Sequence, residues 1–266
     1  MSGDSRAQLL AVQDVTVRFG QVTALDHVSF AMGEDEVCGL IGPNGSGKTT
    51  LFNSISGFCR PHGGQILLHG QPLTALPRHR RAALGVGRTF QNLALFRSMT
   101  VRENILVGAQ PLGHTGFLAH GLALPAARRE ADAAGRLLDE MLDLLDLRAV
   151  AALPVGALPF AVAKRVEIAR ALIAKPRLLL LDEPACGLNH SEVEALLVML
   201  RQIRARFPLS ILLVEHHMGL VMRACSHVVA LAAGSTIADG TPAQVQRDPN
   251  VISAYLGGDP VIERAA

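Results

Sequence analysis

The sequence predicts an α/β fold: three layers arranged around a largely parallel sheet. Three observations predict it. Apolar runs recur without a polar break at Val37-Cys38-Gly39-Leu40-Ile41, Leu178-Leu179-Leu180-Leu181 and Ile211-Leu212-Leu213-Val214, as central strands buried on both faces require. Segments with helical periodicity alternate with these runs. The first run is followed by a glycine-rich turn and then by a helix start, Thr50-Leu51-Phe52-Asn53-Ser54-Ile55.

That turn, Gly42-Pro43-Asn44-Gly45-Ser46-Gly47-Lys48-Thr49, fits Gly-x-x-x-x-Gly-Lys-Thr. A strand before it and a helix after it supply the context the phosphate-loop motif needs. The glycines let successive N–H groups turn inward as an anion nest, and the helix N-terminus adds partial positive charge. Lys48 reaches the β- and γ-phosphates in such a site, and Thr49 gives its hydroxyl to Mg²⁺. The core is therefore expected to be of the P-loop NTPase type, with Gly42 to Thr49 and the following Thr50 as the nucleotide-binding set.

Length and composition bound the rest. At 266 residues with 49% hydrophobic content, the chain suits one large domain or two modest ones with a real core. The charge is nearly balanced, 25 Lys+Arg against 23 Asp+Glu, so no nucleic-acid partner is expected. Cys38, Cys59, Cys186 and Cys225 are scattered without C-x-x-C spacing, which argues against a zinc site or disulfide framework and suits a reducing compartment. The start, Met1-Ser2-Gly3-Asp4-Ser5-Arg6, lacks a signal-peptide layout. No apolar run approaches the ~20 residues of a spanning helix, so any membrane role is expected to be peripheral.

In chain order, Val15, Val17 and Phe19, then Val28 and Phe30, alternate with polar neighbours. They predict two antiparallel strands between about residues 9 and 32, turning near Phe19-Gly20. Phe19 either stacks on a purine near the phosphate loop or is a core aromatic at a strand end; both readings stand on the sequence. Pro61-His62-Gly63-Gly64 reads as a turn and Gln65-Ile66-Leu67-Leu68 as a short strand. The basic cluster Arg78-His79-Arg80-Arg81 opens a helix and reads as a solvated face, with a phosphate or lipid-headgroup contact as the minor alternative. Val86-Gly87-Arg88-Thr89-Phe90 reads as a strand with Gln91 at its end.

Strand signals then fade. Leu137, Met141, Leu144 and Leu145 mark one face of a helix, while residues 111–125 read as loop or short helix. Residues 92–165 are thus expected to form a helical subdomain inserted between 1–91 and 166–240, which hold the core and the β subdomain. Residues 191–206 read as a helix capped by Ser191 with Glu194 three residues on. Short strands follow at 228–231 and 236–238, and residues 241–266 read as a helical tail.

Phosphoryl transfer needs charge neutralised at the γ-phosphate and a water aligned behind it. Asp182, at the carboxyl end of its strand, is placed to hold Mg²⁺. Glu183, one residue on, points the other way and is the candidate to polarise the water. Gln91 and His216 fall at the ends of strands of the same sheet, so both can face the γ-phosphate.

Together these pieces resemble ATP-binding cassette ATPases over nearly the whole chain. Residues 42–49 match the Walker A motif, Gln91 the Q-loop, and residues 178–182 the Walker B strand. Glu183 matches the catalytic glutamate, Ala185-Cys186-Gly187-Leu188-Asn189 the D-loop, and His216 the switch histidine. The resemblance implies ATP and Mg²⁺ as cofactors, with Lys48, Gln91, Glu183 and His216 catalytic and Thr49, Gln91 and Asp182 around the metal. It places Phe19 where the adenine-stacking aromatic lies. It also implies a dimer that sandwiches two ATP molecules, each between one subunit's Walker A and the other's signature, with Leu188 and Asn189 at the D-loop.

The signature departs from the family's Leu-Ser-Gly-Gly-Gln: the slot reads Leu158-Pro159-Phe160-Ala161-Val162. Pro159 replaces a serine hydroxyl that would touch the partner's γ-phosphate, and Ala161 adds a methyl group where backbone must approach phosphate. Pro is favoured in a first helical turn and Ala is a good helix former, so the helix is expected to survive. The amides of Phe160 and Ala161 still point at an anion. A lost charge-assisted hydrogen bond is worth roughly 1.5–3 kcal/mol, a weakening of about ten- to a hundred-fold.

A single cassette resembles a prokaryotic importer subunit. Arg88-Thr89-Phe90-Gln91-Asn92, the stretch 181–189, Leu213-Val214-Glu215-His216-His217-Met218 and the ending through Ala254-Tyr255-Leu256-Gly257 resemble the ATPase of branched-chain amino-acid importers. That resemblance implies integral membrane permease subunits, an extracytoplasmic solute-binding protein, a second cassette (self or paralogue) and a place on the cytoplasmic face of the cell membrane. The segment after Gln91, through Phe96, Met99 and Glu103, is expected to pass movement to the permease. Alternatives are a cassette for urea, amide or lipopolysaccharide transport, or a non-transport nucleotide switch. A chromosome-type cassette is disfavoured because the span from Lys48 to Leu158 is too short and irregular for a coiled coil.

Overall fold

The computed structural model describes residues 8–90, 93–110 and 125–256. The chain opens with strands β1 (Gln8–Phe19) and β2 (Val22–Gly33), an antiparallel hairpin that turns where the alternation predicts. Strand β3 (Val37–Ile41) leads into helix α1 (Lys48–Ser56), followed by β4 (Gly63–Leu68) and β5 (Gln71–Pro72). Strands β2-β1-β4-β5 make one antiparallel sheet. Helix α2 (Arg78–Ala83) precedes β6 (Val86–Arg88), which stops two residues short of the predicted end.

Helices α3 (Val101–Val107), α4 (Pro125–Leu144) and α5 (Phe160–Leu172) come next. The order then runs β7 (Leu178–Asp182), α6 (His190–Arg206), β8 (Ser210–Val214), α7 (Met218–Ala224), β9 (His227–Ala232) and β10 (Ser235–Gly240). Helices α8 (Pro242–Arg247) and α9 (Pro249–Leu256) close the described chain.

The second sheet has the order β10-β9-β3-β8-β7-β6, and every pairing but that of β9 with β10 is parallel. Its central strands are buried on both faces for a reason visible in the contacts. Leu179, Leu181, Ile211 and Leu213 join a core shared with α5 and α6, whereas Leu178, Leu180, Leu212 and Val214 join a core shared with β1, β2 and α1. A polar break in either run would bury an unpartnered group, which explains the unbroken leucines. This is the expected largely parallel sheet, with the antiparallel sheet packed on one side and helices on the other.

On α4, Leu138, Met141 and Leu142 are buried, and Leu145 is buried just past the helix end. Thr100 and Glu103 form a capping box that starts α3, so Glu103 has a local role in holding the helix. The fully buried Asn104 donates from Nδ2 to the carbonyls of Phe96, Met99 and Thr100 and accepts from Phe96 N–H. One amide side chain thereby folds residues 96–100 into a fixed loop.

Two local expectations are corrected. The cap of α6 is Asn189, not Ser191: its Oδ1 accepts from Glu192 N–H at 3.0 Å, and Glu192 Oε2 accepts from Asn189 N–H at 2.8 Å. Asn189 is at least as good a cap as serine, and it starts the helix one residue earlier than predicted. Arg81 does not lie on a solvated face. It is buried and donates to the carbonyls of Ser54, Ile55 and Leu76, satisfying carbonyls at the C-terminal end of α1 that have no intrahelical partner.

Candidate active site

The site lies beyond the carboxyl ends of β3, β7 and β8, where the parallel strands deliver their loops. Residues 42–47 form the loop between β3 and α1. Gly42 and Gly47 have φ of 146° and 103°. A Cβ on Gly42 would stand 2.1 Å from Leu231 O, and one on Gly47 would stand 2.6 Å from Ala24 O. Any side chain there both strains the backbone and collides with it. Asn44, Gly45 and Thr49 are exposed, Thr50 and Pro43 half-buried, and Ser46 and Lys48 buried.

Lys48 Nζ donates to Gly42 O at 2.7 Å and to Pro43 O at 2.8 Å, so its ammonium is folded over the loop it springs from. Burial holds its pKa below the usual lysine value, opposed by the carboxylates of Glu183 and Asp182. A glycine-rich loop leading into a helix N-terminus, with a buried cation folded over it, suits polyanionic phosphate.

Asp182 ends β7 and is buried; burial raises its pKa, and Arg88 pulls it back down. Arg88 Nη2 donates to Asp182 Oδ2 at 3.1 Å, an ion pair that sequence reasoning missed. Glu183 has φ of 48°, a left-handed backbone unusual for glutamate. His216 Nδ1 lies 3.6 Å from Glu183 Oε1, and its ring is 57% exposed. The sheet thus brings Glu183 and His216 together, as their places at adjacent strand ends anticipate. Gln91 lies outside the described residues, as does Asn92. The residues bracketing them are held by α5: Glu167 accepts from Phe90 N–H, and Arg170 donates to Ala94 O.

Phe19 ends β1 with 56% of its surface exposed. The core-aromatic reading is therefore excluded, and the ring is free to meet a planar ligand. The tail contributes an unforeseen contact: Tyr255 Oη, on α9, accepts from Gly42 N–H at 2.8 Å, 213 positions away in sequence.

Leu158 leads into the signature slot, and here one expectation is corrected. Pro159 is not in the first helical turn but is the N-cap of α5, extended with φ of −57°, and the helix begins at Phe160. Without an N–H or a capping side chain, Pro159 offers only its carbonyl, which accepts from Val162 and Ala163 N–H. The N–H groups of Phe160 and Ala161 come before the first intrahelical bonds, which start with Val162 and Ala163. The Phe160 ring lies against Gly187 of the loop before α6. Lys164 Nζ donates to Glu183 O at 3.0 Å, and Glu215, fully buried, accepts from Ala185 and His217 N–H. Lys164 and Glu215 join the signature helix, the 183–189 loop and the His216 segment, and neither carries a motif that the sequence alone could flag.

Hard oxygen donors fit magnesium, which takes one or two protein oxygens and leaves the rest to phosphate and water. Asp182 and Thr49 are such donors. Among the described residues no cluster of three or more His, Cys, Asp or Glu side chains could hold a metal by itself.

A phosphate loop between a central parallel strand and a helix, with an Asp-Glu pair ending the next strand but one, defines a P-loop nucleotide-binding ATPase. The chain belongs to the ABC transporter family, whose activity is ATP hydrolysis: the family model for ABC transporters matches residues 25–186. A second model, described as branched-chain amino acid ATP-binding cassette transporter, matches residues 235–261. The chain is 42% identical over 249 residues to the high-affinity branched-chain amino acid transport ATP-binding protein BraF of Pseudomonas aeruginosa, covering 94% of this chain and 98% of that one. It is 41% identical, with the same coverage, to the corresponding protein LivG of Escherichia coli K12. Among solved structures it resembles a nucleotide-free ATP-binding cassette from an ABC transporter, with a TM-score of 0.81, 28% identity and coverage of 93% of this chain and 98% of that one. No helix among the described residues is long and apolar enough to cross a membrane.

Proposed function

We propose that this chain is the ATP-hydrolysing subunit of an importer for branched-chain amino acids, working at the cytoplasmic face of the cell membrane. The observation that carries the hydrolytic role is the Glu183–His216 pair at the ends of β7 and β8, next to the loop that holds Lys48. The solute reading rests on identity along nearly the whole chain to relatives named for that transport, extending into the tail.

Residues 42–50 and the ammonium of Lys48 grip the phosphates, and Phe19 stacks on the base. Thr49, Asp182 and Gln91 would hold Mg²⁺, which would neutralise phosphate charge there. Glu183 orients and deprotonates water for attack on the γ-phosphorus, while His216 steadies Glu183 and the γ-phosphate. A second cassette closes the site with its signature, just as Leu158, Pro159, Phe160, Ala161 and Val162 close the partner's, with Leu188 and Asn189 crossing between them. Residues 1–91 and 166–240 form the nucleotide-binding core with its β subdomain, 92–165 the helical signature subdomain, and 241–266 the tail. Permease subunits receive the movement through residues 96–103, and a solute-binding protein delivers cargo to them.

The test is purification of the chain with its permease subunits, reconstitution in liposomes and measurement of ATP-driven leucine uptake. Uptake that follows ATP and ceases with Glu183→Gln supports the reading. An assembled complex that hydrolyses ATP but moves only urea or an amide replaces the solute, and a chain that recruits no membrane subunit replaces the transport role.

The site completed by this chain's own signature is the slower one, because Pro159 brings no hydroxyl and Ala161 brings a methyl group. Ala161→Gly raises ATPase in the assembled complex; an unchanged rate removes the methyl group from the account.

A further inference from the structure

We infer that Arg88 is the positioning residue for Asp182, fixing the carboxylate so that one oxygen stays available to the divalent ion. The inference rests on the reading of Asp182 as the carboxylate facing Mg²⁺. Four observations carry it. Arg88 and Asp182 are 9% and 6% exposed at their side chains, so the pair is shut away from water. The guanidinium binds Asp182 through Oδ2 alone, with Nη2 at 3.1 Å. Its other arm is anchored to α1: Nη1 donates to Asn53 Oδ1 at 2.8 Å and to Ser56 Oγ at 2.6 Å. The flat face of the group is enclosed by rings, 5.0 Å from Phe90, 5.4 Å from Phe58 and 5.8 Å from Phe52.

Such a held guanidinium cannot swing with its carboxylate. It locks Asp182 to the helix that begins with Lys48 and Thr49, so the metal carboxylate and the phosphate loop move as one body. Lysine could not do this, because a point charge lacks the planar fork that spans three acceptors.

A cation beside a metal site repels the metal, so removing it would tighten binding; removing a positioning residue loosens it. The experiment titrates Mn²⁺ into the full chain with a non-hydrolysable ATP analogue, reading free Mn²⁺ by EPR. Analogue binding in EDTA and thermal melting are followed in parallel.

Arg88→Met is expected to weaken Mn²⁺ binding roughly ten- to a hundred-fold while analogue binding in EDTA is kept, and Arg88→Lys recovers only part. Mn²⁺ affinity that is unchanged or higher in Arg88→Met overturns the inference. Should Arg88→Met fail to fold, Asn53→Ala combined with Ser56→Ala frees the guanidinium without removing its charge. That pair is expected to weaken Mn²⁺ binding as well, and an unchanged affinity again overturns the inference. A wild-type chain that binds no analogue sinks the ATP reading instead.

Discussion

Single side chains set the chemistry, and each has a distinct mutational signature. Glu183 sits in a left-handed backbone beside His216. Glu183→Gln keeps shape and removes the proposed base, so ATP binding measured with a fluorescent analogue is expected to stay near wild type while turnover disappears. Near-wild-type hydrolysis in that variant would take Glu183 out of the role. Lys48 is different because its ammonium bridges two carbonyls of the loop, those of Gly42 and Pro43. Lys48→Ala is expected to cost about 1.5–3 kcal/mol of nucleotide binding, the range for a lost charge-assisted hydrogen bond, read directly by calorimetry. Asp182 shows why burial matters: desolvation pushes its carboxyl pKa up, and the Arg88 guanidinium pulls it back down.

Elements place these side chains, and their ends matter more than their middles. Strand β7 delivers Asp182 and Glu183 to the same edge to which β8 delivers Glu215 and His216, in parallel register with Asp182 opposite Val214. Helix α9 acts on the phosphate loop through one hydroxyl, that of Tyr255 against the buried Gly42 N–H. Tyr255→Phe removes the acceptor and leaves that donor unpaired, at an expected cost of about 1–3 kcal/mol in chemical denaturation. An unchanged midpoint would mean that water replaces the hydroxyl. The Thr100 cap of α3 is a smaller effect of the same kind: Thr100→Ala is expected to cost about 1 kcal/mol.

At the scale of the molecule, stability is coupled to pH through a cluster remote from the nucleotide. His227, which starts β9, lies 3.3 Å from Glu36 and 2.5 Å from Asp239, and its pKa is pushed up to about 12 by Asp239, Cys38 and Glu36. The unfolded chain releases that proton near pH 6.5. The stabilisation is therefore complete below about pH 6.5 and declines as pH rises toward the folded value, because the folded state binds the extra proton throughout that window. The stability gap between wild type and His227→Gln is expected to be widest at pH 6 and narrower at pH 9, measured by urea unfolding at both. A gap that does not change with pH would show that His227 is neutral in the folded chain.

The sequence by itself determined the sheet, the phosphate loop, the paired carboxylates and the strand end that carries His216. All of these are local: an apolar run, a glycine pattern or a residue next to a strand terminus is read from neighbours in the chain. The substituted signature was legible for the same reason, although the position of Pro159 as cap was not, since propensity does not fix a helix start to one residue. Asn189 displaced Ser191 as a cap on equally local grounds that two polar residues two positions apart leave undecided. Only the tertiary structure decided that Arg81 is buried under α1, that Phe19 faces outward, that Tyr255 reaches Gly42, and that Arg88 holds Asp182 across 94 positions. The contacts of Arg81, Tyr255 and Arg88 join groups apart in sequence and draw their energy from polar partners brought together as the layers pack, and the exposure of Phe19 is likewise fixed only by that packing.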